Sequence, residues 1–565
     1  MTHELNRQRL SRRALLGGTA AGAAALSLAH FEARANPAGP SAKGFNARGQ
    51  NAGGTLVYGL GFDLDGTMDP QVTNYDSTIR VTLNICEPLV WMPTATEIVP
   101  GLAESWVVSE DGTEYTFTLK QGVTFHDGTP FNAEAVKFTF DRVVQNDLIT
   151  AGATPSADPV IVPGQAHDQL GPYDHAEVID DHTIKVVLKT PFAPFLTGLN
   201  GYLGIVSPTA VRSMGLDAFA RAPVGTGPYI FKEWVEADHI TLTKNVDYNW
   251  GSSYFANTGA AYYDEIEFKV IADASVRTGT VTSGETQYID TIDTLQYEDL
   301  SSNGDVAVIK QAQPGSGYIL LLNLSRETPI ADPEVRKALH FAIDKVAMNQ
   351  AVYGGLYESA ASPLMKVTLG YEPATEALFS YDKDKAAQIL DAAGWTLNGD
   401  IREKDGQQLS LYWPVQEREP DKSQATFCQG AWREIGVDLK IDVMERGLLR
   451  QTIREDNNYD VTTMWFSYAD PDVLRTIFHS ANQDAFNRAK YNNPEVDSWL
   501  EQGYQTNDEA TRKELYSKVQ LQVVNDGATI PLHDSITYNA KASSVQGDVL
   551  DFLASYVWLN SAYSE

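Results

Sequence analysis

The sequence predicts an α/β protein of more than one domain. The chain has 565 residues, well beyond the roughly 250–300 that one hydrophobic core usually serves. Short apolar or alternating runs that read as strands recur along it, interleaved with amphipathic helical stretches. Hydrophobic residues make up 43% of the chain, the ordinary share for a globular protein. Beyond the N-terminal region no run is apolar enough to span a bilayer, and no internal sequence repeat is evident.

The first 35 residues stand apart from this pattern. Arg7, Arg9, Arg12 and Arg13 precede a weakly apolar, Ala- and Gly-rich run from Ala14 to Ala29, and Ala33-Arg34-Ala35 offers small residues at a cleavage point. This is the layout of a signal peptide. The Arg12-Arg13 pair after Ser11, followed by Leu15 and Leu16, resembles a twin-arginine export signal. The run is too short and too Gly-rich for a membrane anchor, and no Cys follows it to carry a lipid. Residues 1–35 are therefore expected to be removed after Ala35, and 36–53 reads as a flexible leader.

The signal holds five of the 43 Lys and Arg and two of the 74 Asp and Glu, so the remainder carries 38 basic against 72 acidic residues, a formal net charge of −34. Such a surface repels nucleic acid and anionic lipid, which excludes both as partners; solubility is the plainer reading of the acidity. The two cysteines, Cys86 and Cys428, are far apart in sequence, leaving one disulfide and two buried thiols equally open. Two Cys and ten scattered His give no zinc spacing.

In chain order, Thr55 to Gly61 reads as a strand, followed by FDLDGTMDP. Asp63-x-Asp65-Gly66-Thr67 after a strand resembles the first motif of Mg-dependent phosphatases, in which the first Asp attacks phosphorus. The other acidic group, Asp400 with Asp405, lies more than 330 residues away in a polar turn. A strand-to-turn loop explains Asp63 and Asp65 as well, so the exported phosphatase is only a distant alternative. Ile79 to Met92 reads as a short helix ending near Glu87-Pro88. Asp111-Gly112 joins two alternating runs as a hairpin. After HDGTPF, Asn132 caps a helix from Ala133 to Val144.

The stretch LAESWVVSEDGTEYTFTLKQGVTFHDGTPFNAEAVKFTFDR resembles the signature of family 5 solute-binding proteins, the large extracytoplasmic receptors of ABC importers. Further landmarks follow in the family's order: Val224-Gly225-Thr226-Gly227-Pro228-Tyr229, the strand Tyr318 to Leu324, a helix opened by Asp332-Pro333 and running through Ile343-Asp344-Lys345, helices over 383–394 and 425–435, strands over 409–414 and 437–443, and Ile530-Pro531-Leu532-His533. The resemblance implies a two-lobed periplasmic binding protein-like fold (type II), with an extra subdomain inserted in lobe I and a ligand cleft between the lobes. It implies lobe I at 54–88, 222–312 and 530–565, the insert at 89–221 and lobe II at 313–529. It also implies closure of the lobes on a solute and docking on a membrane permease and its ATPase.

The stretch VTTMWFSYADPDVLRTIFHS, Val461 to Ser480, carries most of the site expectation. An apolar strand ends in Trp465, Phe466 and Tyr468, and Asp470-Pro471-Asp472 opens a helix; no nucleophile and base stand together. In peptide-binding relatives an acid precedes the Tyr of this stretch and pairs with the peptide's α-ammonium. Here Ser467 stands there, and a buried ammonium without a carboxylate loses about 1.5–3 kcal/mol of charge-assisted bonding. Asp470 is read first as a helix cap and second as a ligand contact. The expected ligand-facing residues are Trp465, Ser467, Tyr468, Asp470, Trp413 and Arg418 on lobe II, with Phe62 and Asp63 on lobe I. The expected function is a periplasmic receptor, a monomer without catalysis, cofactor or metal, that binds a small polar organic solute. A peptide or amino-acid conjugate leads, with a sugar-like or opine-like solute as the alternative.

Overall fold

The computed structural model describes residues 53–73, 75–94, 97–144, 169–201, 203–553 and 556–565. The expected signal, with its cleavage after Ala35, and the leader up to residue 52 lie outside the described residues. Among those described, the largest sheet has seven strands, ordered Val306–Ala312, Ile536–Ala542, Tyr288–Ile289, Thr55–Leu60, Glu265–Val270, His239–Lys244, Tyr229–Val235. Thr55–Leu60 runs parallel to both its neighbours; the other pairs are antiparallel. Three separate stretches of chain thus build the lobe I sheet. On it Tyr58 stacks with Tyr288, ring centroids 4.8 Å apart. At its end Asp290 accepts from the Gly61 amide at 2.7 Å and pairs with buried Arg80 and Arg277.

A second antiparallel sheet, ordered Ala103–Val108, Glu114–Leu119, Thr183–Leu188, Tyr173–Asp180, packs against the helix Ala133–Val144. The helix starts where its cap predicts: Asn132 Oδ1 accepts from the Ala135 amide at 3.0 Å. The sequence landmarks on either side of this sheet join it to lobe I. His126 Nε2 meets the Gly227 carbonyl of lobe I at 2.9 Å, and within the insert Asp127 accepts from Ser207 Oγ at 2.5 Å. A Cβ on Gly225 or Gly227 would run into the backbone of Asn84 to Cys86, so only glycine permits that approach. Beneath it, buried Glu87 accepts from Tyr248, Thr226 and Trp250.

Lobe II holds a three-stranded antiparallel sheet, ordered Val461–Ser467, Gly315–Leu322, Thr529–His533, and a parallel pair, Ser410–Gln416 with Asp438–Met444. Helices that include Pro333–Phe341, Lys383–Ala392 and Asp421–Arg433 pack on them around Trp413, Trp432 and Cys428. Pro494–Gln505 and Glu509–Asn525 cover a second cluster with Leu474, Ile477 and Phe478.

Val306–Ala312 leads directly into Gly315–Leu322, and Thr529–His533 leads directly into Ile536–Ala542. The chain therefore crosses between the lobe I sheet and the lobe II sheet at 313–314 and at 534–535. The crossings are stitched together. The Gln313 amide donates to the Ser535 carbonyl at 3.0 Å, and Ser535 Oγ donates to Gln313 Oε1 at 2.7 Å.

Two elements differ from expectation. The helix expected over Ile79 to Met92 is Asp76–Thr82, and Val90–Thr94 is a strand paired with Glu97–Pro100. A short apolar run such as Leu89 to Met92 fits either state, and burial against the insert decides it. The helix expected to run through Lys345 ends at Phe341, and Lys345–Tyr353 starts anew. Asp344 caps the second helix by accepting from the Ala347 amide at 2.9 Å, which breaks the run. Cys86 and Cys428 are free, buried thiols in the separate cores of lobes I and II. No helix among the described residues is long and apolar enough to cross a membrane.

Candidate functional site: the cleft between the lobes

Trp465 lies near the end of Val461–Ser467 and is 38% exposed, unusual for so large an apolar side chain. Its ring lies parallel to that of Tyr318, centroids 4.8 Å apart at 7°. The pairing of Gly315–Leu322 shifts register on both sides around Tyr318, a bulge of the kind that re-aims side chains beside binding sites. Gly315 tightens the same turn: φ is +110° and a Cβ would clash with the Phe466 carbonyl. Tyr318 stacks in turn on His533, 4.7 Å away at 24°. Burial pushes His533 down to about 4, so the imidazole is neutral at physiological pH and acts as a flat support.

Arg418 completes the lobe II face. Its guanidinium carbon lies 4.8 Å from the Trp465 ring centroid, a cation–π contact. It also pairs with Asp421 in a two-bond grip at 3.0 and 2.8 Å. Burial lowers its pKa, but Tyr318 and Asp421 outweigh that and raise it. Its neighbours Glu417 and Glu419 do not neutralise it; Asp421 does.

From lobe I, Phe62 is 53% exposed beside Tyr75, ring centroids 6.4 Å apart. Arg446 of lobe II reaches the Tyr75 ring at 5.6 Å. Ser467 Oγ donates to the Leu553 carbonyl of lobe I at 3.1 Å, beside Gln313, whose side-chain amide reaches the same oxygen at 3.4 Å. On the insert's side the Ala193 amide donates to the Tyr504 carbonyl at 2.7 Å. The lobes therefore touch at several points around this aromatic face.

The remaining expected residues sit elsewhere in the argument. Trp413 is 1% exposed and packed in the lobe II core, so its ring faces are covered by protein. Tyr468 is also buried, at the edge of the second lobe II cluster. Asp470 is 3% exposed: Arg512 grips it at 3.0 and 2.6 Å, and it accepts from the Asp472 amide at 2.9 Å. It organises the turn into Val473–Phe478 and is spent on a buried ion pair. Asp63 holds a turn, accepting from the Ala237 amide at 2.7 Å and from its own Leu64 amide at 2.7 Å. Asp65 accepts from Thr73 at 3.5 Å, and Asp400 pairs with Arg433 in lobe II. The acids of the phosphatase-like motif thus serve separate turns in separate lobes, and no group of three metal-ligating side chains is found among the described residues.

Tyr318, Tyr75 and Arg446, which stand beside the expected residues, were not expected from the sequence. Tyr318 opened an otherwise apolar strand, and a polar-tipped aromatic at such a position was the available signal. A cavity of about 350 Å³ also exists in lobe I, lined by Thr67, Gln71, Arg142 and Leu216. Its Arg142 is already bound to Asp69 and Gln71, so its polar groups serve the fold.

With this geometry in hand, comparison with known proteins fixes the lineage. The profile of "Bacterial extracellular solute-binding proteins, family 5 Middle" matches residues 97–485. The glutathione-binding protein GsiB of Pectobacterium atrosepticum is 27% identical over 494 residues, covering 85% of this chain and 89% of that protein. The periplasmic binding protein DppA from Helicobacter pylori, solved with the peptide STSA, superposes with a TM-score of 0.75 at 28% identity, covering 90% of this chain and 99% of that one. The dipeptide-binding protein from Pseudoalteromonas sp. SM9913, solved with Met-Leu, gives a TM-score of 0.76 at 25% identity over 91% and 100%. The two-lobed fold, the exposed aromatic face between the lobes and the profile match agree: this chain belongs to the bacterial extracellular solute-binding proteins of family 5.

Proposed function

We propose that this protein is the receptor of an ABC importer and carries a small, polar, peptide-like solute between its lobes to a membrane permease and its ATPase. The observation that carries the reading is Trp465. It is a large aromatic side chain left exposed, backed by Tyr318 and Arg418, at the place where lobe I and lobe II meet. Exposed aromatic faces of this kind offer contact area at small cost in side-chain entropy. Phe62 is the lobe I counterpart and Ser467 a hydrogen-bonding group between them, while Tyr468, Asp470, Trp413 and Asp63 act from behind as support. Work in the periplasm as a monomer, after export on the twin-arginine-type signal and cleavage at Ala35, belongs to the same proposal.

A solute touching both lobes stabilises the closed state by its differential affinity for it. Ser467 in place of an acid favours, as second reading, a sugar-like or opine-like solute that needs no anionic partner on lobe II. Thermal unfolding with panels of peptides, sugars and conjugates tests both. The expected result is a rise in melting temperature that grows with free ligand above Kd; no shift with any member would sink the receptor reading. Mass spectrometry of the protein as purified identifies any solute carried along.

A further inference from the structure

We propose that Arg450, Arg454 and Arg488 form a binding site for a small polyvalent oxyanion, a phosphate or a polycarboxylate, on the side of lobe II that lies behind the Trp465 face.

The helix Arg446–Arg454 carries Arg446, Arg450 and Arg454 four residues apart, along one side. Arg450 and Arg454 are exposed. Arg454 lies over the ring of Phe486, its guanidinium carbon 5.3 Å from the centroid, and Arg488 follows two residues after that ring. Phe486 meets Phe466 edge-on, ring centroids 5.3 Å apart. Met464 and Phe466 alternate with Trp465 along Val461–Ser467 and so point to its other face, where they pack on the second lobe II cluster. The arginines therefore stand behind the strand that presents Trp465 to the cleft. Tyr459, just before that strand, donates to the Arg488 carbonyl at 2.7 Å and fixes the backbone there.

Among the described residues none of these three guanidinia makes an ion pair or donates a hydrogen bond. Most other arginines of the described chain hold a carboxylate, as Arg402, Arg475 and Arg512 do. Acids are not scarce in a chain of formal net charge −31, but those close by are engaged elsewhere. Asp460 takes Arg326, the Thr328 hydroxyl and the Tyr412 amide, and Asp484 faces Lys490.

Three costs are left standing. The Nε of Arg488 is buried with no partner among the described residues, which is unfavourable until an acceptor arrives. Burial and the neighbouring Arg454 lower Arg488 to about 10, and burial and Arg450 lower Arg454. Like charges four residues apart also destabilise their helix; the helix dipole favours Arg454 at the C-terminal turn but not the other two. An oxyanion answers all three at once. It gives the buried N–H an acceptor, neutralises the repulsion, and matches the planar guanidinium forks, which grip carboxylate and phosphate through paired N–H···O bonds. Three cations together favour an anion of more than one charge.

The test uses full-length mature protein, with sodium phosphate, sodium citrate and sodium chloride compared at matched ionic strength, and phosphatidylglycerol vesicles as a separate arm. Calorimetry and melting temperatures are recorded for the parent, the double variant Arg450→Gln with Arg454→Gln, Arg488→Met and Trp465→Ala. Phosphate or citrate is expected to bind the parent saturably and to raise its melting temperature beyond the effect of chloride. Either arginine variant is expected to weaken that binding about 10-fold or more, and Trp465→Ala to leave it unchanged. Without anion, Arg488→Met is expected to melt no lower than the parent, because it removes an unpaired buried charge; a drop would show a structural arginine and overturn its place in the site. The double variant changes exposed side chains only and carries the test independently of that residue. No response beyond chloride overturns the proposal. So does a response that survives in both arginine variants, or one that Trp465→Ala abolishes, since the anion then sits elsewhere. Binding to the vesicles without binding to either free anion assigns a lipid headgroup instead and also overturns it. The receptor reading is tested by the solute panel above and stands or falls apart from these outcomes.

Discussion

The rings of Trp465 and Tyr318 lie parallel on adjacent strands, 4.8 Å apart, and only Trp465 of the pair remains substantially exposed. Trp465→Ala is therefore expected to weaken solute binding about 10- to 100-fold, roughly 1.4–2.8 kcal/mol, while moving folding stability by less than about 1 kcal/mol. Trp413→Ala has the reverse signature, because its side chain fills the lobe II core: a loss of about 3–5 kcal/mol in stability. Paired calorimetry and urea unfolding separate the two. An equal stability loss from both variants would contradict the assignment.

Asp470 and Arg512 form a buried pair. Removing one partner leaves a desolvated charge, so Asp470→Ala is expected to cost about 3–5 kcal/mol. Replacing both residues by Leu and Met should cost much less. Denaturant titration of the single and double variants tests this. Should Asp470→Ala instead keep its stability and lose ligand, the acid touches solute rather than Arg512.

Glu87 provides a pH signature. Burial pushes its carboxyl from 4.5 up to about 7, against the opposing hydrogen bonds of Tyr248, Thr226 and Trp250 and the pull of Lys120. The folded protein therefore holds this proton more tightly than the unfolded chain does. The stability it contributes is fully present below about pH 4.5 and is lost as pH rises through about 7, on the order of 3 kcal/mol in all. Asp534 and Asp551, raised by burial to about 6 and about 7, titrate in the same window. The measurement is thus the difference in unfolding free energy between parent and Glu87→Gln at pH 4.5, 6 and 8. A difference that does not change with pH would refute the assignment.

Cys86 and Cys428 sit in separate cores, and burial raises both thiols. A thiol-specific reagent is expected to label neither in the native protein and both in denaturant. Reductant should leave the melting temperature unchanged. A reductant-dependent drop would show that the two are bridged.

The sequence disclosed the fold through turn chemistry and caps. Asn132 and Asp332 each begin a helix where their side chains predict, because a cap is a local hydrogen bond readable over four residues. The glycines of Gly225-Thr226-Gly227 were legible as a motif, although their reason, close packing on Asn84 to Cys86, is long-range. The site was less legible. Trp465 and Arg418 lie where the lobes meet, but Trp413 looks the same on paper and lies in the core, since exposure is a property of the packed sheet. Asp470 is an acid beside a turn, and only the position of Arg512, 42 residues away along the chain, shows that it is already paired.

The stitched crossings at Gln313 and Ser535 have a mechanical meaning. One strand between two bodies would let them twist as well as bend. Two strands bonded side by side act as a strap, soft to bending about the axis across its width and stiff to torsion. A closing movement of lobe II about such a strap would follow one arc and would return the Trp465 face to the same register against lobe I. Tyr318 and His533 sit on the strap's own two strands, one stacked against the other. Through Tyr318, the Trp465 ring therefore rests directly on the strands of the strap.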